Sequence, residues 1–155
     1  MATIVAKAIA GLLLWTGTVG AQRSNLSGTW ILNAERSRWS RMQQPQRIVV
    51  EIDHKEPALR YCGTVTYANE EDRDFCFDGA VDGRGYVVER SYGHGNMTMK
   101  RLDAFSVLST YRSDDGQYLE TSITTVSRDG KRLTRRMRLT CPLGSRTWIE
   151  EYEKR

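Results

Sequence analysis

Hydrophobic and polar residues alternate in short runs along most of the chain, and turn-forming residues separate these runs at close spacing. Side chains two residues apart lie on the same face of a strand, so each run has one apolar and one polar face. No long window repeats with the helical period. The pattern predicts an all-β protein, an up-and-down antiparallel barrel of about eight strands. One short helix is predicted after the first strand, over Ala34–Trp39.

Three turn sequences set the predicted register of the C-terminal strands. Ser113–Gln117 and Ser127–Lys131 each fit a three-residue loop with a left-handed glycine, and Pro142–Ser145 fits a two-residue loop. The interior residues predicted in this way are Phe105, Val107, Ser109, Tyr111, Leu119, Thr121, Ile123, Thr125, Leu133, Arg135, Met137, Leu139, Trp148, Glu150 and Tyr152. The opposite face, which includes Glu120, is more polar. Because a slip of one residue exchanges the two faces of a strand, the assignment depends on this contrast.

A hairpin centred on Asn69 brings two cysteines together. In this register Cys62 lies directly opposite Cys76, close enough for a cross-strand bridge. The residues collected on the other face are Tyr61, Val65, Tyr67, Phe75 and Phe77. We therefore predict a Cys62–Cys76 disulfide, with two reduced surface cysteines as the alternative. Cys141 remains without an assigned partner.

The N-terminal residues follow the pattern of a cleaved secretory signal peptide. Lys7 precedes an unbroken apolar run over Ala8–Trp15, and Val19–Ala21 supplies the small residues that a signal peptidase recognises. This run is too short to span a bilayer, and no later segment is apolar for long enough. We expect a signal peptide over residues 1–21, one domain over residues 22–155 and a secreted or periplasmic protein. A retained signal anchor is the alternative.

Charge and composition bear on the classes of function. The chain has 23 Lys and Arg against 19 Asp and Glu, a net charge of +4 that is spread along the sequence, and this is weak evidence for nucleic-acid binding. His54 and His94 are too few for a zinc or catalytic cluster, and no serine stands in a nucleophile-elbow setting. We therefore expect no nucleic-acid partner, no metal, no cofactor and no enzymatic activity.

The segment Ser27–Asn33 (SGTWILN) and the chain end Tyr152–Lys154 (YEK) carry a family resemblance. Together with the strand pattern, they resemble the calycin superfamily, which includes lipocalins, fatty-acid-binding proteins and avidins. The nearest resemblance is to small exported lipocalin-like proteins of bacteria. The chain departs from the classical lipocalins in lacking their later sequence blocks, and from fatty-acid-binding proteins in lacking a clear helix pair after the first strand.

The resemblance implies a structural role for Trp30. In such barrels the tryptophan of the first strand packs across the closed end, beneath a basic side chain from near the last strand, for which Arg146 and Lys154 are the candidates. Gly28 would allow the backbone to pass closely at this point. Trp30 is then a plug in the closed end, with a direct ligand contact as the alternative.

Arg135 is the strongest functional signal in the sequence. It lies on the predicted interior face opposite Tyr152, with Glu150 close by, and a guanidinium in an apolar cup needs an anionic partner. Either Arg135 and Glu150 form an internal ion pair, or Arg135 and Tyr152 hold a ligand carboxylate, which resembles the way fatty-acid-binding proteins hold an acid headgroup. The candidate ligand-binding residues are Arg135, Tyr152, Glu150, Thr121, Tyr111 and Tyr67.

Two functions of different classes follow. The first is an exported lipocalin-like barrel that binds a small apolar or amphipathic ligand, including a carboxylate, in its interior. The second is a barrel filled with side chains that acts as a protein-interaction, inhibitor or envelope-associated domain, with an unknown protein partner. An eight-stranded barrel can be packed solid or can hold one small ligand, so the volume of the interior cavity separates the two.

The leader pattern makes a direct prediction. N-terminal sequencing of the exported protein is expected to begin at or near Gln22, because cleavage follows the small residue Ala21. A mature protein that still begins at Met1 or Ala2 would contradict the signal peptide.

Overall fold

The computed structural model describes residues 23–68, 71–90 and 93–155. The predicted leader, residues 1–21, lies outside these ranges, as does Asn69. The described residues form ten strands: β1 (Gly28–Leu32), β2 (Arg47–Lys55), β3 (Ala58–Thr66), β4 (Arg73–Ala80), β5 (Gly85–Arg90), β6 (Gly93–Arg101), β7 (Ser106–Ser113), β8 (Leu119–Val126), β9 (Arg132–Cys141) and β10 (Gly144–Lys154). None of these residues belongs to a helix that could cross a membrane.

All ten strands belong to one antiparallel sheet that curls into a nearly closed barrel. The strand order is β4-β3-β2-β1-β10-β9-β8-β7-β6-β5, so the first and last strands pair with each other. In that pairing Trp30 lies opposite Lys154. Strands β4 and β5 face each other as the two edges that close without pairing. The predicted all-β antiparallel class is confirmed, but the described part of the chain forms ten strands instead of about eight.

The predicted short helix over Ala34–Trp39 is wrong. Residues 34–36 form a turn in which the Asn33 side chain accepts a hydrogen bond from the Arg36 amide (3.1 Å). The chain then returns to the edge of β10, where the Arg38 amide donates to the Ile149 carbonyl (2.8 Å) and the Arg38 carbonyl accepts from the Ile149 amide (2.9 Å). This tertiary pairing of Arg38 with β10 overrides local helix propensity.

Two hairpin loops are one residue longer than predicted. The Ser113 amide donates to the Tyr118 carbonyl (3.0 Å), and the Ser127 amide donates to the Arg132 carbonyl (2.9 Å), which leaves residues 114–117 and 128–131 as the loops. Each serine hydroxyl also accepts the amide hydrogen of its partner, at 2.9 and 3.0 Å. These side-chain bonds stabilise the longer loop. The glycine of each loop is left-handed, with φ of 71° and 69°.

The extra residue in the first loop reverses the two faces of β8. Glu120 and Ser122 are buried in the interior, whereas Ile123 is exposed and Thr121 shares its outer face. The placement of Thr121 inside the barrel is therefore wrong. The extra residue in the second loop restores the alternation, so β9 keeps the predicted orientation and Arg135 faces inward.

The last hairpin is shifted by two residues from the predicted register. Cys141 pairs with Gly144, and Glu150 therefore lies opposite Arg135 where Tyr152 was expected. Tyr152 lies opposite Leu133 instead. Because a shift of two residues preserves the face of a strand, the predicted interior side of β10 is unchanged.

The predicted hairpin between β3 and β4 is confirmed. Cys62 lies opposite Cys76 and the two form a disulfide, with Cα atoms 4.1 Å apart. On the interior face of the same hairpin, the rings of Tyr61 and Phe77 stack with centroids 5.4 Å apart. Cys141 is a free cysteine. One register thus satisfies both the disulfide and the hydrophobic face.

Trp30 lies where the first and last strands meet. Its ring is only 1% exposed, and its Nε1 donates to the Leu26 carbonyl (2.9 Å). Of the two candidate cations, it is Lys154 that lies over the ring, with Nζ 5.4 Å from the centroid, whereas Arg146 is exposed elsewhere on β10. Gly28 has φ of 133°, and a Cβ at this position would collide with the Lys154 side chain. The start of β1 and the end of β10 therefore enclose the ring.

Trp30→Ala is expected to destabilise the fold by about 3–5 kcal/mol, because it empties a buried site. Urea unfolding followed by circular dichroism measures this loss. Lys154→Met is the matched control: it keeps the aliphatic stem over the ring and should cost no more than about 1 kcal/mol. Unchanged stability of Trp30→Ala, together with loss of ligand binding, would instead place Trp30 in the binding site.

Candidate functional site

The interior of the barrel has a filled half and a hollow half. Around Trp30 the packed side chains leave a cavity of only about 50 Å³. A second cavity of about 850 Å³ extends towards the other end. The apolar and aromatic residues of its wall are Met42, Ile48, Val65, Tyr67, Phe75, Phe77, Val88, Met137, Leu139, Trp148 and Tyr152. This larger cavity is the candidate functional site.

The segment between β1 and β2 covers one end of the larger cavity. Trp39 is buried, and Met42 contributes to the cavity wall. The Met42 amide donates to the Trp39 carbonyl (2.9 Å), which holds the two side chains on one turn, and Pro45 is fully buried after them. The cover over this end of the larger cavity is therefore an irregular loop.

The larger cavity also reaches the outside between the two sheet edges. Its wall includes outward-facing residues of both edges, among them Cys76 and Asp78 on β4 and Val87 on β5. Val87 is 78% exposed. Further along the same edges, the rings of Phe77 and Tyr86 meet edge to face at 5.8 Å and close the gap. The opening is therefore confined to one part of the unpaired seam.

A buried polar cluster lies in the cavity wall around Glu150. Arg135 Nη1 donates to Glu150 Oε2 (3.0 Å), and the Tyr152 hydroxyl donates to the same oxygen (2.8 Å). Trp148 Nε1 donates to the other oxygen, Oε1, at 2.8 Å. The three donors come from adjacent positions of β9 and β10, since Glu150 lies opposite Arg135. Of the two alternatives for Arg135, the internal ion pair is the arrangement present.

The burial of this cluster shifts the pKa values of its members. Burial raises the pKa of the Tyr152 hydroxyl well above its ordinary value, and the neighbouring Glu150 carboxylate raises it further. Burial is the largest single effect on Arg135 and would lower its pKa, but Glu150, together with Tyr152, Tyr61 and Glu120, outweighs it, so the pKa lies above its ordinary value. Both groups thus keep their protons at neutral pH, and both remain hydrogen-bond donors.

Sequence reasoning missed further charged residues of the cavity wall, among them Arg90 and Glu120. Arg90 Nη2 donates to the Tyr61 hydroxyl (3.1 Å), and Glu120 is only 9% exposed. Glu120 was assigned to the outer face because of the loop length. Arg90 shares the parity of the buried Val88 on β5, and that alternation indicates an inward side chain.

The predicted ligand-binding residues are only partly brought together. Those that line the larger cavity are Arg135, Glu150, Tyr152 and Tyr67. Tyr67 lies beneath Arg73, whose Cζ is 5.4 Å from the ring centroid. Tyr111 is buried in the core, and its hydroxyl donates to the Gly93 carbonyl (2.9 Å). Thr121 lies on the outer face and does not contribute to the cavity.

A second polar cluster lies around His54, and its contacts join separate segments of the protein to one another. Buried His54 accepts the Leu26 amide hydrogen at Nδ1 (3.2 Å), and its Nε2 lies 2.8 Å from Glu56. Arg101 donates to the same carboxylate (2.8 Å) and to the Ser24 carbonyl (3.3 Å). Burial lowers the pKa of His54. Within the described ranges, no group of side chains has the composition of a metal site.

Comparison with known proteins identifies the fold. No protein-family model and no curated protein sequence matches the chain. Zebrafish ileal bile acid-binding protein, in complex with cholic acid, is similar in structure with a TM-score of 0.55 and 14% identity, over 83% of this chain and 98% of that one. The fatty acid binding protein of Schistosoma mansoni, in complex with arachidonic acid, has a TM-score of 0.55 and 13% identity, over 90% and 99%.

The chain has a calycin fold. The predicted resemblance to that superfamily is confirmed at the level of the fold, whereas a bacterial and exported origin stays a prediction. Both similar structures are of binding proteins in complex with a ligand. As the sequence indicated, the calycin fold here has no helix pair between β1 and β2.

Arg135→Met is expected to destabilise the protein by about 3–5 kcal/mol, because it leaves Glu150 buried without a cation. Adding Glu150→Leu should restore much of that loss, which a double-mutant cycle of urea unfolding measures. Arg136→Met is the matched control: its side chain is exposed on the same strand, so it should change stability by no more than about 0.5 kcal/mol. Equal stabilities of the Arg135 and Arg136 variants would contradict the buried pair.

Proposed function

We propose that the protein is an exported calycin barrel that binds one small apolar or amphipathic ligand in the larger cavity. The observation that carries this proposal is the cavity in the hollow half of the barrel, which measures about 850 Å³ together with its opening through the seam between β4 and β5. Ligand sites are typically concave, roughly 300–1,000 Å³ in volume and mostly apolar, with a few placed polar groups. The Arg135–Glu150 cluster supplies such polar groups beside the apolar and aromatic residues of the wall.

The two similar structures support a binding function. One is in complex with a bile acid and the other with a fatty acid, and both are amphipathic molecules. The polar residues of the cavity favour the same conclusion: Glu150 is saturated by donors, and Arg135 is held protonated. Neither group is prepared for proton transfer or nucleophilic attack.

The alternative of a side-chain-filled barrel is less well supported. Large side chains fill the half around Trp30, where only about 50 Å³ remains. In the other half, Glu120 takes the inward position that the predicted register had given to the larger Leu119. The cavity in this half favours an interior ligand over an interaction domain.

Export is proposed on two sequence features. The leader pattern over residues 1–21 is that of a signal peptide. The Cys62–Cys76 disulfide is a bond that persists in oxidising compartments. Together they support a secreted or periplasmic location.

Binding can be tested with N-phenyl-1-naphthylamine, an uncharged probe whose fluorescence rises in apolar surroundings. Titration of residues 22–155 should saturate at one probe per chain. Leu139→Trp places an indole in the cavity and should weaken binding by about ten-fold or more. Thr140→Trp is the matched control, because residue 140 is exposed on the outer face of the same strand.

Circular dichroism must show that both variants are folded. Equal affinity of the two folded variants for the probe, or no saturable binding by the wild-type protein, would contradict an interior site. Native mass spectrometry of protein purified from its own host would then show whether a ligand is retained.

A further inference from the structure

We propose that the cavity selects ligands with an uncharged, hydrogen-bond-accepting head group and that Glu150 sets this preference. This inference rests on the proposed binding function. It concerns the interior charges of the hollow half, which contains Arg90, Glu120, Arg135 and Glu150. These four more buried charges, two cations and two anions, balance before any ligand enters. Arg73 adds a further cation at the exposed rim, where it lies over Tyr67.

Glu150 occupies the position that a ligand carboxylate would take on Arg135. Its two oxygens already accept three hydrogen bonds, from Arg135, Tyr152 and Trp148. A ligand carboxylate at the same guanidinium would bring a second negative charge next to Glu150 in a poorly solvated wall. Like charges interact strongly and unfavourably there, because the surroundings screen them little. The wall therefore disfavours a charged acid headgroup.

Arg135 nevertheless retains hydrogen-bonding capacity towards the cavity. A guanidinium has five N–H donors, and Glu150 accepts one of them. The Arg135 side chain is also more exposed than its partner, 20% against 8%, and it contributes to the walls of both interior cavities. A hydroxyl, ketone or ester oxygen could accept from it without adding charge. The Tyr152 proton is already directed to Glu150, so Arg135 is the group that would meet the head group.

The second arginine does not change this balance. Arg90 donates to the Tyr61 hydroxyl at 3.1 Å. Arg90 lowers the pKa of the Tyr111 hydroxyl and Glu120 raises it, within a net shift that burial dominates and that is upward. The two charges thus act on the same region with opposite sign. A carboxylate placed in this region would encounter the field of Glu120 as well as that of Arg90.

The test uses three twelve-carbon ligands that share one tail: 1-dodecanol, methyl dodecanoate and dodecanoate at pH 7.4. Each displaces N-phenyl-1-naphthylamine from residues 22–155. The alcohol and the ester are expected to bind about ten-fold more tightly than the carboxylate. Dodecanoate that binds the wild-type protein as tightly as dodecanol would overturn the inference, and this comparison requires no variant.

Glu150→Gln tests the residue assigned to the preference. It removes one of the two interior negative charges, the one bound to Arg135, while keeping an oxygen that can accept from Trp148 or Tyr152. The affinity for dodecanoate should rise about ten-fold, while that for dodecanol should change by less than about three-fold. Glu151→Gln is the matched control, since it removes one charge from the adjacent outward-facing position and should leave the ligand order unchanged.

An unchanged ligand order in folded Glu150→Gln would overturn the role of Glu150. These outcomes differ from failure of the proposed function itself, in which the naphthylamine probe would not bind saturably to the wild-type protein and no ligand series could be measured.

Discussion

The antiparallel pairing of β1 with β10 is the contact on which the interior depends. Among the described residues, every other strand pair joins neighbours along the chain, whereas this one joins its two ends. Closing so long a loop costs chain entropy, which burial of apolar surface must offset. Trp30 supplies that burial: its ring packs between the two strands beneath Lys154, and Gly28 makes room for the lysine stem. Without this closure the hollow half would be one face of an open sheet.

Under the proposed function, the buried charges decide which ligands the closed barrel accepts. Removing a guanidinium and a carboxylate from water is costly, and a buried pair contributes little net stability compared with apolar residues of similar size. The Arg135–Glu150 pair therefore has more consequence for specificity than for stability. With Trp148 and Tyr152 completing the coordination of the carboxylate, the wall presents a cation that is neutralised yet still able to donate hydrogen bonds.

The unpaired seam between β4 and β5 gives the cavity its lateral opening. Exposed sheet edges can pair with other chains, and charged side chains on the edges oppose this. Asp74 and Asp78 on β4 and Glu89 on β5 lie along the seam and also line the opening. Cys76 links β4 to β3 through the disulfide on the outer face. The edge strand is thus fixed to the sheet on one side and kept apart from β5 on the other.

Residue alternation by itself determined the all-β class, and the coincidence of a cysteine pair with an aromatic face determined the register of Cys62 and Cys76. Both are local: alternation is a property of each strand, and the cysteine register follows from chain geometry within one hairpin. Alternation also placed Arg135 inside. The predicted loops before β8 and before β9 were each one residue too short, and the two errors cancel, so the face of β9 is correct although that of β8 is not. Only the tertiary structure decided which face of β8 points inward, and with it that Glu120 is buried and Thr121 lies outside. The reason is that the side-chain hydrogen bonds of Ser113 and Ser127 stabilise longer loops on either side of β8. The tertiary structure alone decided where the cavity lies, since packing volume depends on residues that are far apart in the sequence.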